Sequence, residues 1–417
     1  MELKRVVVTG IGAITPLGNN LNDYWNGLIN GVSGADMITN FDASKFRTKF
    51  ACEVKGFDPV AFLDRKEARK IDRFTQFALY ASDQAMSDAG LNKENINPDR
   101  VGVVFASGIG GLITFQQEVM EFAKGDGTPR FNPFFIPKMI LDIAAGQISM
   151  RHNLRGPNFA VVSACASSTN AIIESFNLLR LGKADILVTG GSEAVISEAG
   201  VGGFNAMKAM SERNDDPKTA SRPYDKDRDG FVMGEGSGVI IMEELEHAKA
   251  RGAKIYCEIM GGGATADAYH ITAPHPDGLG ATNVMIAALD DAQMKPEEID
   301  YINTHGTSTP IGDGAEVKAI TKVFGEHAYK LNISATKSMT GHCLGAAGVI
   351  ETIACIQAVV HDIVPPTINH FTDDPELDPK LNFTFNKAQK RTVNAALSNT
   401  FGFGGHNACV IVKKFVA

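Results

Sequence analysis

Cysteine is scarce in this sequence, with six residues in 417, and none of the six forms a Cys-x-x-Cys pair. Zinc sites and disulfide frameworks use cysteines at short, regular spacings, so the sequence predicts neither. Cysteines scattered along a long chain without a secretory signal are typical of the reducing cytoplasm. We therefore expect a cytoplasmic protein.

Positive charge is also in short supply, with 40 Lys and Arg against 48 Asp and Glu and a formal net charge of −8. Proteins that bind nucleic acid need a basic excess to neutralise phosphates, so we expect no nucleic-acid partner. The sequence also has no uncharged apolar run of about 18 residues, the length that a membrane-spanning helix needs, so we expect no membrane insertion.

Glycine, in contrast, is abundant, with 42 residues, and several occur in clusters that predict tight turns. Short β-branched runs such as 101–105 and 184–188 alternate with amphipathic stretches such as 169–181. This alternation of strand and helix patterns predicts an α/β fold in which helices cover a largely parallel sheet.

An internal echo indicates two related halves. Residues 163–165 follow an apolar strand and open a helix, and residues 334–336 likewise follow a short strand and precede the helical stretch 346–360. Such self-similarity is typical of folds built from repeated units. With a polar helix near residue 250 as the boundary, we predict domains at 1–250 and 251–417.

Cys165 is the candidate nucleophile. It follows an apolar strand, is surrounded by small residues and stands at the start of a predicted helix. The positive end of a helix dipole favours a thiolate, and small neighbours leave room for a substrate. The alternative is a buried structural cysteine, which is the common fate of a free thiol. On this segment alone both interpretations stay open.

Two histidines and a glycine-rich loop occupy similar settings. His305 and His342 both follow short apolar segments and stand among Gly, Ser and Thr, which suits polar groups at strand ends that face a crevice. Phe401 and the following 402–405 run come after the strand 395–398, and backbone N–H groups of such a loop can form an oxyanion hole. A satisfied core histidine and an ordinary β-turn are the alternatives.

Taken together, these segments resemble the β-ketoacyl-acyl carrier protein synthases, the elongating condensing enzymes of the thiolase-like superfamily. The resemblance extends over almost the whole chain. It implies an α/β fold with a duplicated five-layered α-β-α-β-α core, assembled as a homodimer. The first predicted domain would carry the nucleophile Cys165, and the second would carry the catalytic His305 and His342.

The implied reaction is an acyl transfer of fatty acid biosynthesis and lipid metabolism. An acyl group on Cys165 condenses with malonyl-acyl carrier protein, CO₂ is lost, and the chain grows by two carbons. The resemblance assigns oxyanion binding to the backbone N–H groups of Cys165 and Phe401, and enolate stabilisation to His305 and His342. No cofactor is required, because the substrates are carried on the phosphopantetheine of acyl carrier protein.

The resemblance also implies supporting roles. Lys337 would organise His342 and pair with Glu316. Thr307 and Thr309 would contact the phosphopantetheine arm. Ile109 and Phe204 would line the acyl pocket. A monovalent-cation site would be formed by Asn303, Glu351, Ser398 and Asn399.

Residues 65–73 are predicted to form one helix with Lys66, Arg69, Lys70 and Arg73 on a single face. An acidic carrier protein and an acidic enzyme need a local basic patch for productive encounter. The resemblance therefore assigns carrier docking to Lys66, Arg69 and Lys70. An ordinary solvated helix face is the alternative.

Three other functions share part of this pattern. A discrete polyketide ketosynthase has the same Cys-His-His set. A thiolase needs a second catalytic cysteine and a different histidine setting. A partner subunit that controls chain length would lack the nucleophile, whereas Cys165 is present.

Overall fold

The computed structural model of the chain describes residues 3–416. The strands, in chain order, are β1 (Val6–Ile14), β2 (Asp36–Met37), β3 (Phe50–Ala51), β4 (Val101–Ala106), β5 (Asn158–Val161), β6 (Ile186–Glu193), β7 (Gly236–Glu244), β8 (Cys257–Ala266), β9 (Tyr301–Asn303), β10 (Asn332–Ser334), β11 (Ile363–Val364), β12 (Gln389–Lys390), β13 (Ala395–Gly402) and β14 (His406–Lys414). The α-helices are α1 (Leu21–Ile29), α2 (Arg65–Ala68), α3 (Arg73–Asp88), α4 (Leu112–Lys124), α5 (Phe135–Met139), α6 (Ile143–His152), α7 (Ser167–Arg180), α8 (Glu198–Ala206), α9 (Leu245–Ala250), α10 (Leu279–Ala292), α11 (Pro310–Phe324), α12 (Lys337–Thr340) and α13 (Ala347–His361).

The main sheet, as far as residues 3–416 show it, has ten strands in the order β10-β9-β13-β14-β8-β1-β7-β6-β4-β5. Its two halves meet where β1 pairs with β8 over three residues. In one half β5, β4 and β6 are parallel, and β7 and β1 follow antiparallel. In the other, β10, β9 and β13 are parallel, and β14 and β8 follow antiparallel. The same pairing pattern thus occurs twice, which is the duplication that the sequence echo predicts.

Helices complete five layers. Between the half-sheets lie α7 and α13, which pack on strands of both. The outer face of the first half-sheet is covered by α3 and α6, and that of the second by α10, with α11 packed beside it. The predicted α-β-α-β-α arrangement is therefore confirmed.

The most apolar helical stretch lies in the middle layer. Within the described chain, Leu344–His361 is long and apolar enough to cross a membrane by length and composition, and 89% of it is buried inside the protein. Both of its sides meet sheet, so a helix in this position is apolar all round rather than on one stripe. Its hydrophobicity is explained by its place in the core.

The predicted single helix over 65–73 is wrong. Helix α2 ends at Ala68, and a new helix begins at Arg73 with Asp72 as its N-cap. Asp72 is buried and also accepts hydrogen bonds from the backbone and hydroxyl of Thr114, 3.0 and 2.5 Å away. Arg73 lies apart from the other basic residues and forms a bidentate ion pair with the buried Glu235. The hydrogen bonds and the ion pair of these buried carboxylates stabilise the chain more than an unbroken helix over 65–73 would, so the helix that the charge spacing predicts is interrupted.

Candidate active site

Cys165 lies in the turn between β5 and α7, two residues before the first residue of the helix. The Ser167 hydroxyl accepts from the Ser163 backbone N–H at 2.8 Å and donates to the Ala164 carbonyl at 2.6 Å, which closes the turn. Ala164 has φ of +51°, a conformation that costs an alanine free energy and that clusters at functional sites. This tight turn presents the sulfur to a cavity while leaving only 7% of the residue exposed.

One of the two predicted histidines contacts this sulfur, and the other lies beside the first. His305 follows β9 and His342 follows α12. The Nε2 atom of His342 lies 3.0 Å from the Sγ atom of Cys165, and the ring centroids of His305 and His342 are 5.3 Å apart at an angle of 88°. Residues separated by up to 177 positions in the chain therefore converge on one point.

Burial determines the resting protonation of all three groups. It raises the pKa of the Cys165 thiol to about 12, against the opposing charge of Lys337 and the hydrogen bond from the backbone of Phe403. Burial and the Lys337 charge together hold the pKa of His305 and His342 well below 6.5. The expected helix-favoured thiolate is therefore not the resting form, because desolvation outweighs the dipole. A neutral His342 in contact with a protonated thiol is the arrangement at neutral pH.

The glycine-rich loop brings a different phenylalanine to the sulfur than the sequence predicts. The backbone N–H that hydrogen-bonds to Cys165 belongs to Phe403. The ring of Phe401 instead packs beside His305, with centroids 5.5 Å apart. Gly402 lies so close to the turn that a Cβ atom on it would be 3.1 Å from the Cys165 nitrogen, so the chain crosses the turn there. The backbone N–H that acts on the sulfur is therefore that of Phe403 rather than that of the predicted Phe401.

The predicted partner of Lys337 also changes. Lys337 is buried and forms an ion pair with the equally buried Glu351, not with Glu316. Glu316 accepts hydrogen bonds from the backbone N–H groups of His305 at 2.9 Å and Gly306 at 3.0 Å. Burial raises the pKa of both carboxyls to about 7. Glu316 thus fixes the His305 segment, while the Lys337 charge acts on both histidine rings.

The residues of the predicted cation site present unpaired oxygen atoms. In the described chain four buried oxygens of these residues have no hydrogen-bond partner, namely Asn303 Oδ1, Ser398 Oγ, Asn399 Oδ1 and Glu351 Oε2. Asn303 and Ser398 are direct neighbours across β9 and β13. Amide, hydroxyl and carboxylate oxygens are the ligands that hard cations prefer. The donor set therefore fits a monovalent cation, although residues 3–416 contain no cluster of His, Cys, Asp and Glu for a transition metal.

A cavity of about 390 Å³ extends from the catalytic residues to the surface. Phe204, Thr307 and Thr309 line it, and the two threonine hydroxyls lie 3.1 Å apart. Ile109 does not line this space but, like Phe204, packs against the apolar cluster that contains Cys165. Phe204 and the two threonines thus share one cavity with Cys165, whereas Ile109 reaches the sulfur only through the apolar cluster.

The sequence patterns do not indicate two further neighbours of the site. Phe231 packs edge-on against His342, with centroids 5.5 Å apart, and belongs to the Cys165 cluster. Glu193 is a fully buried carboxylate whose charge raises the pKa of the Cys165 thiol. Neither residue stands in a catalytic motif. The one sequence feature that could have indicated a role is that Glu193 ends an apolar strand.

A cysteine on a strand-to-helix turn, faced by two neutral histidines in a duplicated five-layered core, defines a condensing enzyme of the thiolase-like class. The chain belongs to the β-ketoacyl synthase family. The family's N-terminal domain matches residues 3–248 and its C-terminal domain matches residues 256–371.

Similar proteins cover the chain from end to end. The chain is 52% identical to 3-oxoacyl-[acyl-carrier-protein] synthase 2 of Synechocystis, over 100% of this chain and 99% of that protein. It is 48% identical to the protein of the same name from Staphylococcus aureus, over 99% of each. Among solved structures, a β-ketoacyl synthase from Burkholderia phymatum has a TM-score of 0.91 at 34% identity, covering 99% of this chain and 100% of that one. A type II polyketide ketosynthase in complex with its acyl carrier protein also has a TM-score of 0.91, at 32% identity and the same coverage.

Proposed function

We propose that this chain elongates fatty acyl groups by a decarboxylating Claisen condensation between malonyl-acyl carrier protein and an acyl thioester on Cys165. The observation that carries the proposal is the 3.0 Å contact between Cys165 and a neutral His342, with His305 beside it in an open cavity. The relatives at about 50% identity support fatty acid synthesis as the setting. The polyketide ketosynthase is less similar, at 32%.

The first half-reaction loads the enzyme. The Cys165 thiol passes its proton towards His342 Nε2, and the sulfur attacks the carbonyl carbon of the acyl thioester. The oxyanion that forms is stabilised by the backbone N–H groups of Cys165 and Phe403. The carbon–sulfur bond to the carrier then breaks, and the pantetheine sulfur leaves with the proton. His342 returns the proton and is neutral again, and in its Nε2–H tautomer it can donate a hydrogen bond in the second step.

The second half-reaction builds the new bond. When the bond between the malonyl group and its carboxylate breaks, CO₂ leaves and an enolate forms on the thioester. His305 and His342 stabilise its oxygen through hydrogen bonds, which are strong in this dry site. The enolate carbon attacks the acyl-Cys165 carbonyl, and the bond to sulfur breaks. The product is a β-ketoacyl thioester that is two carbons longer, and the Cys165 thiolate takes up a proton from the solvent.

Several groups support these steps. Thr307 and Thr309 hold the pantetheine arm in the mouth of the cavity. Burial, together with the Lys337 charge, keeps the two histidines neutral. A monovalent cation bound by the unpaired oxygens near Asn303 would balance the buried carboxylates and stabilise the floor of the site. The chemistry itself needs no cofactor beyond the carrier's phosphopantetheine.

The partners follow from the surface. We assign docking of acyl carrier protein to Lys66, Arg69 and Lys70, whose side chains are exposed near the end of α2. A homodimer is supported by the edge strand β5, where Phe159 is 39% exposed, since an uncovered apolar edge strand invites pairing with a second copy. The protein would act in the cytoplasm, with residues 1–250 and 251–417 as its two domains.

Mass spectrometry tests the proposal. After incubation with acyl-acyl carrier protein, the mass of the wild-type chain should rise by one acyl group, and peptide analysis should place it on Cys165. Cys165→Ala should gain no acyl group and form no elongated product. Cys343→Ala removes the buried thiol next to His342 and is the matched control, which should load normally. An acyl group on Cys165→Ala, or no condensation by the wild type, would overturn the assignment.

A further inference from the structure

Glu193, the last residue of β6, carries a buried carboxylate that the mechanism does not use. Its two oxygens accept five hydrogen bonds from uncharged donors. Oε1 accepts from the Ser107 hydroxyl and the backbone N–H groups of Ile109 and Gly110, at 3.0, 3.1 and 3.3 Å. Oε2 accepts from the backbone N–H groups of Gly108 and Gly345, at 2.8 and 2.9 Å. A carboxylate bound this fully holds its donors in a defined arrangement.

The donors come from two segments that serve different parts of the site. Residues 107–110 form a loop after β4 that includes the predicted pocket residue Ile109, and we call this segment the pocket loop. Gly345 lies in the turn that follows His342. The two segments touch, because a Cβ atom on Gly345 would lie 2.2 Å from the Gly108 nitrogen. Glu193 therefore joins the segment beside the acyl pocket to the segment that carries the histidine.

Resting on the proposed function, we propose that Glu193 is a positioning residue that holds the pocket loop against the turn after His342 and so sets which acyl chains Cys165 accepts. Leu344 supports this inference. It lies between His342 and Gly345, lines the cavity, and belongs to the apolar cluster that contains Cys165. Any shift of the turn that Glu193 holds would move this side chain relative to the sulfur.

The charge of Glu193 has a second consequence. The charged and titratable groups that act on the thiol are Lys337, Glu193 and the contacting His342, with His305 behind His342. The Glu193 charge raises the pKa of the Cys165 thiol, whereas the Lys337 charge lowers it. Removal of the Glu193 charge should therefore lower that pKa even while the thiol stays buried.

Glu193→Gln is the sharpest variant, because it keeps the shape and changes one oxygen to an amide group. The remaining oxygen can serve the three donors at the Oε1 position, which leaves the NH₂ group facing the N–H groups of Gly108 and Gly345. The link between the two segments is then broken. Glu243→Gln is the matched control, since Glu243 is equally buried on β7 but bonds to Thr9 and Arg251.

The first measurement is the ratio of kcat/KM values for a long and a short acyl-acyl carrier protein. For Glu193→Gln we expect a change of roughly ten-fold in this ratio, the discrimination that one methylene supplies in an apolar pocket. The second is the rate of Cys165 alkylation by iodoacetamide from about pH 6 to about pH 10, where thiolate is the reactive form. The variant's curve should shift to lower pH. Glu243→Gln should leave both the ratio and the curve unchanged.

The outcomes separate this inference from the proposed function. If the wild type condenses but Glu193→Gln keeps the wild-type ratio, the positioning role is wrong and the proposed function stands. If the wild type does not condense, the proposed function fails first. Should Glu193→Gln fail to fold, Ser107→Ala removes one donor from the pocket loop and should still change the ratio by roughly two- to three-fold. An unchanged ratio in Ser107→Ala would then refute the role.

Discussion

The two halves of the molecule contribute different chemical groups to the catalytic cavity. The first half supplies the Cys165 thiol inside an apolar cluster, and its nearby buried carboxylate, Glu193, is satisfied by amides and a hydroxyl. The second half supplies two histidines backed by buried charges, with the Lys337–Glu351 ion pair behind them. The difference supports the proposed mechanism, in which the first half would bind and carry the acyl chain and the second half would stabilise the enolate.

The strongest test of the second half is Lys337→Met. It leaves Glu351 buried without its cation, and breaking a buried ion pair from one side costs about 3–5 kcal/mol of unfolding free energy. Urea denaturation measures the loss. Lys254→Met removes the exposed partner of Asp88 and should change stability by less than about 1 kcal/mol. Equal effects of the two variants would show that the buried charges are not what distinguishes the second half.

The histidines test these proposed roles of the two halves. His305→Ala should slow malonyl decarboxylation by about 10²–10³-fold, the usual cost of one oxyanion donor, while Cys165 still accepts an acyl group. His342→Ala should slow both steps, because it also contacts the Cys165 sulfur. Release of labelled CO₂ and mass spectrometry of loading measure the two steps separately. Near-normal CO₂ release by His305→Ala would remove that residue from the second step.

The lowered pKa of the same histidines predicts how the decarboxylation rate depends on pH in acid. Their pKa is held well below 6.5 by burial and Lys337, so they stay neutral as the pH falls to that value. The decarboxylation rate should therefore be flat just below pH 6.5 and fall only when the pH passes through the lowered pKa. The unfolded chain binds these protons more readily, so stability should also decline as the pH falls below about 6.5. A decarboxylation rate that halves near pH 6.5 would contradict the prediction that both histidines are still neutral at that pH.

Sequence patterns predicted the fold class, the family and the convergence of Cys165 with His305 and His342. They did not distinguish between two similar residues when the tertiary structure decides which one lies at the site. Phe401 and Phe403 differ only in where the loop crosses the Cys165 turn, and the carboxylates Glu316 and Glu351 differ only in tertiary placement. Residues 65–73 show a third limit, because the break at Asp72 is caused by Thr114, which lies 42 positions away. Local spacing does not contain such long-range contacts.

The apolar side of the first half is tested by Ile109→Phe. The larger ring would crowd the cluster beside Cys165, and overpacking costs about 1–3 kcal/mol. We expect kcat/KM to fall for long acyl chains and to change little for short ones. Ile286→Phe, at a position on α10 that is 44% exposed, is the control for ring size alone. If Ile109→Phe slows all chain lengths alike, Ile109 supports the fold rather than the acyl chain.

The smallest expected effect concerns the surface of the first half, because exposed charges act through water. The Lys66→Glu and Arg69→Glu double variant should raise KM for acyl carrier protein substrates roughly ten-fold, the low end of what electrostatic steering supplies. Small pantetheine thioesters should react at the wild-type rate, because they reach the cavity without docking. The exposed Lys330 and Lys387 of the second half, changed to Glu together, are the matched control.

Salt sharpens this last test. Exposed charges are screened within about 10 Å at roughly 0.1 M salt, so the wild-type rate with the carrier should fall as salt rises, and the Lys66 and Arg69 variant should respond less. The control variant lowers the net charge by the same amount, so it separates a local patch from general repulsion. If both double variants raise KM equally, the carrier senses overall charge and the docking assignment is wrong. If the carrier and pantetheine substrates lose activity equally, α2 and its following turn serve the fold, and the first half contributes no docking surface here.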